Sequence, residues 1–392
     1  MKAVYFTLPL AAMVIMAIAM LCTTRDLSGQ ISFTRLEEGA YLIDISDDGA
    51  VAAGHYFSKA PVSKPLRWTR TTGVAPLGSV PHVASGPVVS GDGNAFAFST
   101  FVGQGVRWTE KGGAVPLSGI PGVFTFTSVP FDISRDGSVI VGSASISSAP
   151  FPAPSTRVPF RWSESGGMIN LGGLGVARGV SADGSAITGG SDNASGLAQP
   201  FRWTEADGMQ RLITRDDFMG FGSALNPDGT VIVGSIRPAP YRFQDDRAFR
   251  WTEGDGLTLL GSVAGRPTHF ASGVSADGST IIGASLNGAG YIWTPASGAR
   301  DLLSLMRNEF GLRDELEGWE SLNPYGITPD GRFIVGIGSV DYVGAGWILD
   351  RGEKSAPIPV VPEAATYGLA AAALLFGFVL RRQQARKRSL ED

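Results

Sequence analysis

The pentapeptide Ser181-Ala182-Asp183-Gly184-Ser185 (SADGS) returns letter for letter at Ser275–Ser279. It generalises to Ser/Thr/Asn–x–Asp–Gly. In that form it also occurs at Ser46–Gly49, Ser90–Gly93, Ser134–Gly137, Asn226–Gly229 and Thr328–Gly331. The seven glycines are spaced 44, 44, 47, 45, 49 and 53 residues apart. Each position has a turn-forming reason. A short polar side chain leads and can bond the backbone ahead of it. Proline enters only at the second place, where φ near −65° suits a type I turn, and Asp fills the third. Gly takes the fourth, where φ turns positive. An apolar β run follows, such as Val139-Ile140-Val141 or Val231-Ile232-Val233. The unit therefore opens as strand, tight turn, strand.

A second motif interleaves with the first: Leu66-Arg67-Trp68, Val106-Arg107-Trp108, Phe160-Arg161-Trp162, Phe201-Arg202-Trp203, Phe249-Arg250-Trp251, Tyr291-Ile292-Trp293 and finally Trp347. It reads as a third strand. A Gly-bearing turn and a short fourth strand ending near Leu77, Leu117, Leu171, Leu212 or Leu259 complete the unit. Four strands in about 45 residues is the signature of a β-propeller blade. The expectation is an all-β, seven-bladed propeller of four-stranded blades over 31–350. Its last unit lacks a fourth strand, and Ser32–Leu36 is predicted to pair into that blade and close the ring.

The turn aspartates are expected to be structural. The tryptophans should fill the contacts between blades, where both sheet faces are buried. Arg107–Glu110, Arg161–Glu164, Arg202–Glu205 and Arg250–Glu253 are spaced for ion pairs across a turn. Between Asp301 and Trp319, Leu302, Leu303, Met306 and Phe310 keep helical spacing. That segment is expected to lie against the ring rather than to cover its axis.

The chain of 392 residues is 17% charged with a net charge of −4, so no basic field invites nucleic acid. Its single cysteine, Cys22, leaves the repeats without a disulfide or thiolate site. Met1–Lys2 followed by the apolar run to Leu21 reads as an export signal within 1–29, with an uncleaved anchor as the alternative. After a linker at 351–360, Ala364–Leu380 is an uncharged run of 17 residues followed by Arg381, Arg382, Arg386, Lys387 and Arg388. That pattern predicts a C-terminal transmembrane helix with the propeller outside the cytoplasm.

No phosphate loop, HExxH or nucleophile elbow is present, and no catalytic residue, metal ligand or cofactor is assigned. His55 is expected in a second-to-third-strand loop, and His82 and His269 in blade-to-blade connections. Both kinds of loop lie on one face of the disc. Coincidence is the preferred reading over a metal site. The same face carries the length variation, with long loops expected at Ser143–Pro159 and Ser235–Ala248. Tyr241, Arg242 and Asp245 are its candidate ligand residues. An enzyme of this architecture would need an acid and a base converging near the axis, and the sequence names no such pair.

The units, as in Ala248-Phe249-Arg250-Trp251, resemble the HAF-type repeats of extracellular bacterial proteins over nearly all of 40–349. The C-terminus resembles a PEP-CTERM sorting signal: Val361-Pro362-Glu363, a spanning segment, then Arg381 and Arg382. Ala364 departs from it, standing where that family has a second proline. The resemblance implies a membrane-anchored or matrix-associated surface protein. Its partners would be an exosortase-type processing enzyme and an extracellular polysaccharide or protein. An extracellular glycan hydrolase or lyase is the competing reading.

Overall fold

The computed structural model describes residues 30–56, 63–78, 80, 83–263, 265–286 and 288–352. The export segment and the sorting residues Val361, Pro362, Glu363, Arg381 and Arg382 lie outside them, as does His82. Among the described residues no helix is long and apolar enough to cross a membrane.

Seven antiparallel sheets follow one another along the chain, each a blade. Their innermost strands are Ala40–Ile45, Val88–Val89, Phe124–Ile133, Gly175–Val180, Phe218–Leu225, Arg266–Val274 and Trp319–Ile327. Each is followed outward by a second, third and, in six blades, fourth strand in chain order; blade six gains a further two-residue strand, Ser262–Val263. The last blade takes its outer strand from the N-terminus. Ser32–Glu38 pairs antiparallel with Val343–Asp350, setting Phe33 opposite Leu349 and Arg35 opposite Trp347. The expected closure is therefore observed: the N-terminal strand supplies the outer strand of the last blade and ties the two ends of the ring together.

Six of the seven tight turns are built alike. Ser181 Oγ donates to Asp183 Oδ1 (2.7 Å) and accepts from the amide of Ala186 (2.9 Å), while Asp183 Oδ1 accepts from the amide of Ser185 (3.0 Å). Gly184 sits at φ +73°, a region that costs glycine nothing. The turns are also stitched blade to blade. Asp47 N donates to Gly91 O, Arg135 N to Ala182 O, Ala182 N to Pro227 O and Ala276 N to Pro329 O. Pro227 has no N–H to pass on. In that blade Asn226 replaces serine, and its Nδ2 reaches Ala276 O at 2.8 Å.

The hydrophobic core is divided among the blade junctions. Trp162 joins Ala95, Ala97 and Phe160 between blades two and three, and Trp203 packs with Val139, Val141 and Phe201 between three and four. Trp347 and Trp319 fill the junction of blades six and seven. The helical segment supports that junction too. The helix Leu302–Asn308, capped by Asp301, buries Leu302, Leu305 and Met306 in the same cluster.

Several sequence expectations need correction. The four Arg–Glu pairs do not form. Arg107, Arg161, Arg202 and Arg250 instead send Nε to the carbonyls of Gly137, Gly184, Gly229 and Gly278, in the turn of the next blade. A fixed acceptor one blade away outweighs an exposed glutamate, whose ion pair would contribute little. His55 and His269 stand in strands, Val51–Tyr56 and Arg266–Val274, because these strands run further than their patterns suggested. The two long loops shorten for the same reason, to 148–155 and 239–246.

Candidate functional site

Six inner strands carry a β-bulge near their inner end. Pairing jumps from Leu42 to Asp44, Pro130 to Asp132, Ala177 to Gly179, Gly222 to Ala224, Ala271 to Gly273 and Pro324 to Gly326. A bulge leaves one residue without a cross-strand partner and re-aims it. Here the extra residues are Ile43, Phe131, Arg178, Ser223, Ser272 and Tyr325, and all of them line one channel on the ring axis. Blade two has only a two-residue inner strand without a bulge, and offers Val88 and Val89.

The residue after the bulge is aspartate in blades one and three. Asp44 accepts the amides of Ile45 (2.9 Å) and Val89 (2.8 Å), one on each oxygen. Asp132 repeats this with Ile133 (2.8 Å) and Val180 (2.8 Å). Each carboxyl thus clasps its own strand to the inner strand of the next blade. Each touches channel solvent yet is enclosed by protein. Burial, only partly offset by the amides of Val89 and Ile45, pushes Asp44 up to about 7. Burial and then the nearby charge of Asp44 push Asp132 up to about 8. At the turn end of the channel, Arg135 Nε pairs with Asp47 Oδ2 at 3.0 Å, bridging blades one and three. A Cβ on the intervening Gly91 would stand 2.7 Å from Asp47 Oδ1, so glycine is what lets that carboxylate pass.

Arg178 projects from the ring wall and is exposed to the channel. Its guanidinium stands over Phe131 (5.5 Å) and Phe221 (5.0 Å), between aromatic rings of the two neighbouring blades. It makes no ion pair among the described residues. Its edge reaches channel solvent, while burial and then the charge of Arg157 lower its pKa. The channel holds about 230 Å³, below the roughly 300–1,000 Å³ of drug-sized sites.

On the variable-loop face, a second cavity of about 300 Å³ lies between blades two and three. Val102, Gln104, Ser118, Thr125, Phe126 and Thr127 help to line it, and no charged side chain does. Phe101 and Phe151 beside it are 66% and 81% exposed, and Phe151 meets Phe126 edge-on at 6.1 Å.

Tyr241, Arg242 and Asp245 stand together on the loop between Val231–Pro238 and Arg247–Thr252. Tyr241 takes φ +63°, and Asp245 N bonds Arg242 O at 2.8 Å. The loop is braced from beneath. Arg237 Nη2 meets Asp246 Oδ2 at 2.9 Å, His269 Nε2 lies 2.7 Å from Phe243 O, and Phe243 meets His269 edge-on with ring centres 4.4 Å apart. Among the described residues no three His, Cys, Asp or Glu side chains stand together in a way that could hold a metal ion.

The axial residues escaped sequence reasoning because a bulge shifts the alternation of facing by one residue. The signal was present nonetheless: only Asp44-Ile45-Ser46 and Asp132-Ile133-Ser134 place a second carboxyl two residues before the turn serine. Phe101 and Phe151 were equally visible as aromatic residues at loop positions.

No family model matches this chain, and no curated protein does. Solved structures do. The fold is similar to oligogalacturonate lyase from Vibrio parahaemolyticus, with 13% identity, a TM-score of 0.57, and coverage of 84% of this chain and 100% of that one. An oligogalacturonate lyase in complex with manganese gives 14%, 0.56, 84% and 99%. At such identity the likeness is one of fold.

Proposed function

We propose that the protein is exported and held at the cell surface or in the extracellular matrix, where the propeller acts as a non-enzymatic module that binds polysaccharide. One observation carries this reading: exposed Phe101 and Phe151 flank a cavity whose polar groups are uncharged hydroxyls and an amide. Aromatic faces pack against the C–H faces of sugar rings, while hydroxyls and amides match sugar hydroxyls without desolvating a charge. Exposed apolar side chains gathered beside a cavity suit a binding surface. Tyr241, Arg242 and Asp245 extend the same loop face and suit the rim of a longer chain. The segment from Val361 onward, with Arg381 and Arg382, would supply the membrane anchor or the sorting signal read by an exosortase-type enzyme.

The test is a glycan array probed with the full-length protein and with a Phe101→Ala/Phe151→Ala variant. Retention of a polysaccharide by the wild type, weakened at least tenfold in the variant, supports the reading. Equal retention by both proteins overturns it.

A second reading, an extracellular glycan lyase or hydrolase, is favoured by Asp44 and Asp132 in the axial channel, both held near neutral pKa. Against it, both oxygens of each carboxyl already accept a backbone amide. Shorter products appearing from the array glycans would favour this second reading over the first.

A further inference from the structure

We propose that the axial channel is a binding site, separate from the loop face, for one small hydroxylated carboxylate such as a sugar acid, with Arg178 as its anchor. Three features of the channel carry this.

First, Arg178 is held but not neutralised. Its guanidinium carbon lies over the rings of Phe131 and Phe221, and its N–H groups make no hydrogen bond or ion pair among the described residues. Cation–π contacts fix a guanidinium without consuming its donors, and the free edge matches a carboxylate with two parallel hydrogen bonds. The carboxyls that line the channel are engaged elsewhere. Asp44 and Asp132 are bound to backbone amides, and Asp47 is bound to Arg135.

Second, the wall beside and opposite Arg178 supplies hydroxyls. Ser223 projects from the next blade and Tyr325 from the far side of the ring. Neither side chain makes a hydrogen bond among the described residues, and Tyr325 is 39% exposed. Ser272 differs, since its Oγ is occupied by Pro324 O at 2.8 Å. Third, the volume of about 230 Å³ is enough for one small molecule.

The charge of the lining then makes binding depend on pH. The groups that face the channel are Asp44, Asp47, Asp132, Arg135, Arg178 and Tyr325, and the charge of Arg157 also acts on Arg178. Below about pH 7, Asp44 and Asp132 hold protons, and Arg135 and Arg178 face Asp47 alone. Above about pH 8 both ionise, and negative charge predominates. An anion should therefore bind more tightly on the acid side.

The experiment is calorimetric titration of the full-length protein with D-glucuronate at pH 6 and pH 9, with D-glucose as the neutral control. Glucuronate should bind at pH 6, at least fivefold more weakly at pH 9, and glucose not at all. Arg178→Met should remove glucuronate binding while leaving the melting temperature within about 2 °C. Arg178→Lys, which keeps the charge and loses the paired donors, should weaken it at least threefold. Undetectable glucuronate binding by the wild type at pH 6 overturns the proposal, as does unchanged binding by either variant or equal binding of glucose. None of these readouts involves Phe101 or Phe151, so polysaccharide binding at the loop face and this site stand or fall separately.

Discussion

Blades one and three each contain two aspartates four residues apart, Asp44 with Asp48 and Asp132 with Asp136, and the members of each pair behave in opposite ways. Asp136, on the turn, accepts the amide of Ser138 and the hydroxyl of Ser134 (2.8 Å). The amide of Ser138 above all holds its pKa below the ordinary value. Asp132, at the bulge, also accepts two hydrogen bonds, yet burial carries it to about 8. The number of hydrogen bonds is therefore not what separates them. The turn stands in water and adds donors to an ion already solvated, whereas the channel wall removes the water first. One repeat thus uses one residue type for two jobs: a turn clip and a clasp between blades.

The largest expected effect comes from breaking a clasp. Asp132→Ala leaves the amides of Val180 and Ile133 without their side-chain acceptor inside the ring. An unsatisfied buried amide costs about 1–3 kcal/mol. At pH 6, where Asp132 is neutral, the full loss should appear in urea unfolding. At pH 9 it should shrink, because the substitution also removes an ion that burial disfavours. Asp136→Ala should cost about 1 kcal/mol at either pH, within the range of one net hydrogen bond. A loss for Asp132→Ala that is the same at both pH values would erase the distinction between the two positions.

The pH profile sharpens it further. Asp44 and Asp132 have folded pKa values near 7 and 8, above the ordinary 3.8. Their stabilising contribution is complete below the unfolded value and disappears as pH rises through 7 to 8. The turn aspartates Asp136 and Asp183 are shifted downward, so their contribution is present above the unfolded value and is lost on acidification. Melting temperature should therefore fall on both flanks, for different reasons. The double substitution Asp44→Asn with Asp132→Asn should flatten the alkaline flank between pH 6 and 9 and leave the acid flank in place. Melting curves across pH 3–9 would read both at once.

A smaller effect isolates the turn itself. Ser181→Ala removes the hydroxyl that joins Asp183 to the amide of Ala186. The expected cost is about 1 kcal/mol, the usual worth of such a bond. Ser181→Thr, which keeps the hydroxyl as blade seven does with Thr328, should recover most of it.

The ring itself was legible because it rests on repetition. Ser-x-Asp-Gly and Arg-Trp recur with little change, so blade number, strand order and the closing role of Ser32–Leu36 could be read from spacing. The axial site was not legible in the same way, because it is made from the places where the copies differ. Arg178 replaces what is Ile43, Phe131, Ser223, Ser272 or Tyr325 in other blades, and one sequence gives no reason to rank these differences until a bulge turns them toward a common axis. The loop residues Tyr241, Arg242 and Asp245 were found by length variation, and the structure keeps them on one braced loop.

The smallest expected effect concerns Glu110, the partner that sequence spacing assigns to Arg107 and the structure does not. Spacing favoured Glu110, but Nε lies 2.8 Å from Gly137 O, and Glu110 instead stands 3.8 Å from Arg67 with most of its side chain in solvent. Exposed ion pairs contribute about 0–1 kcal/mol, so Glu110→Gln should change stability by no more than about 0.5 kcal/mol. Arg107→Met removes a charged donor from a half-buried carbonyl and should cost about 1–2 kcal/mol. In a double-mutant cycle the two substitutions should add, with a coupling below about 0.3 kcal/mol. Coupling larger than that would restore the turn ion pair and would remove the arginine from the contact between blades. Additivity would mean that each Arg-Trp motif works as one unit across the junction: the tryptophan fills it, and the arginine ties it to the neighbouring turn.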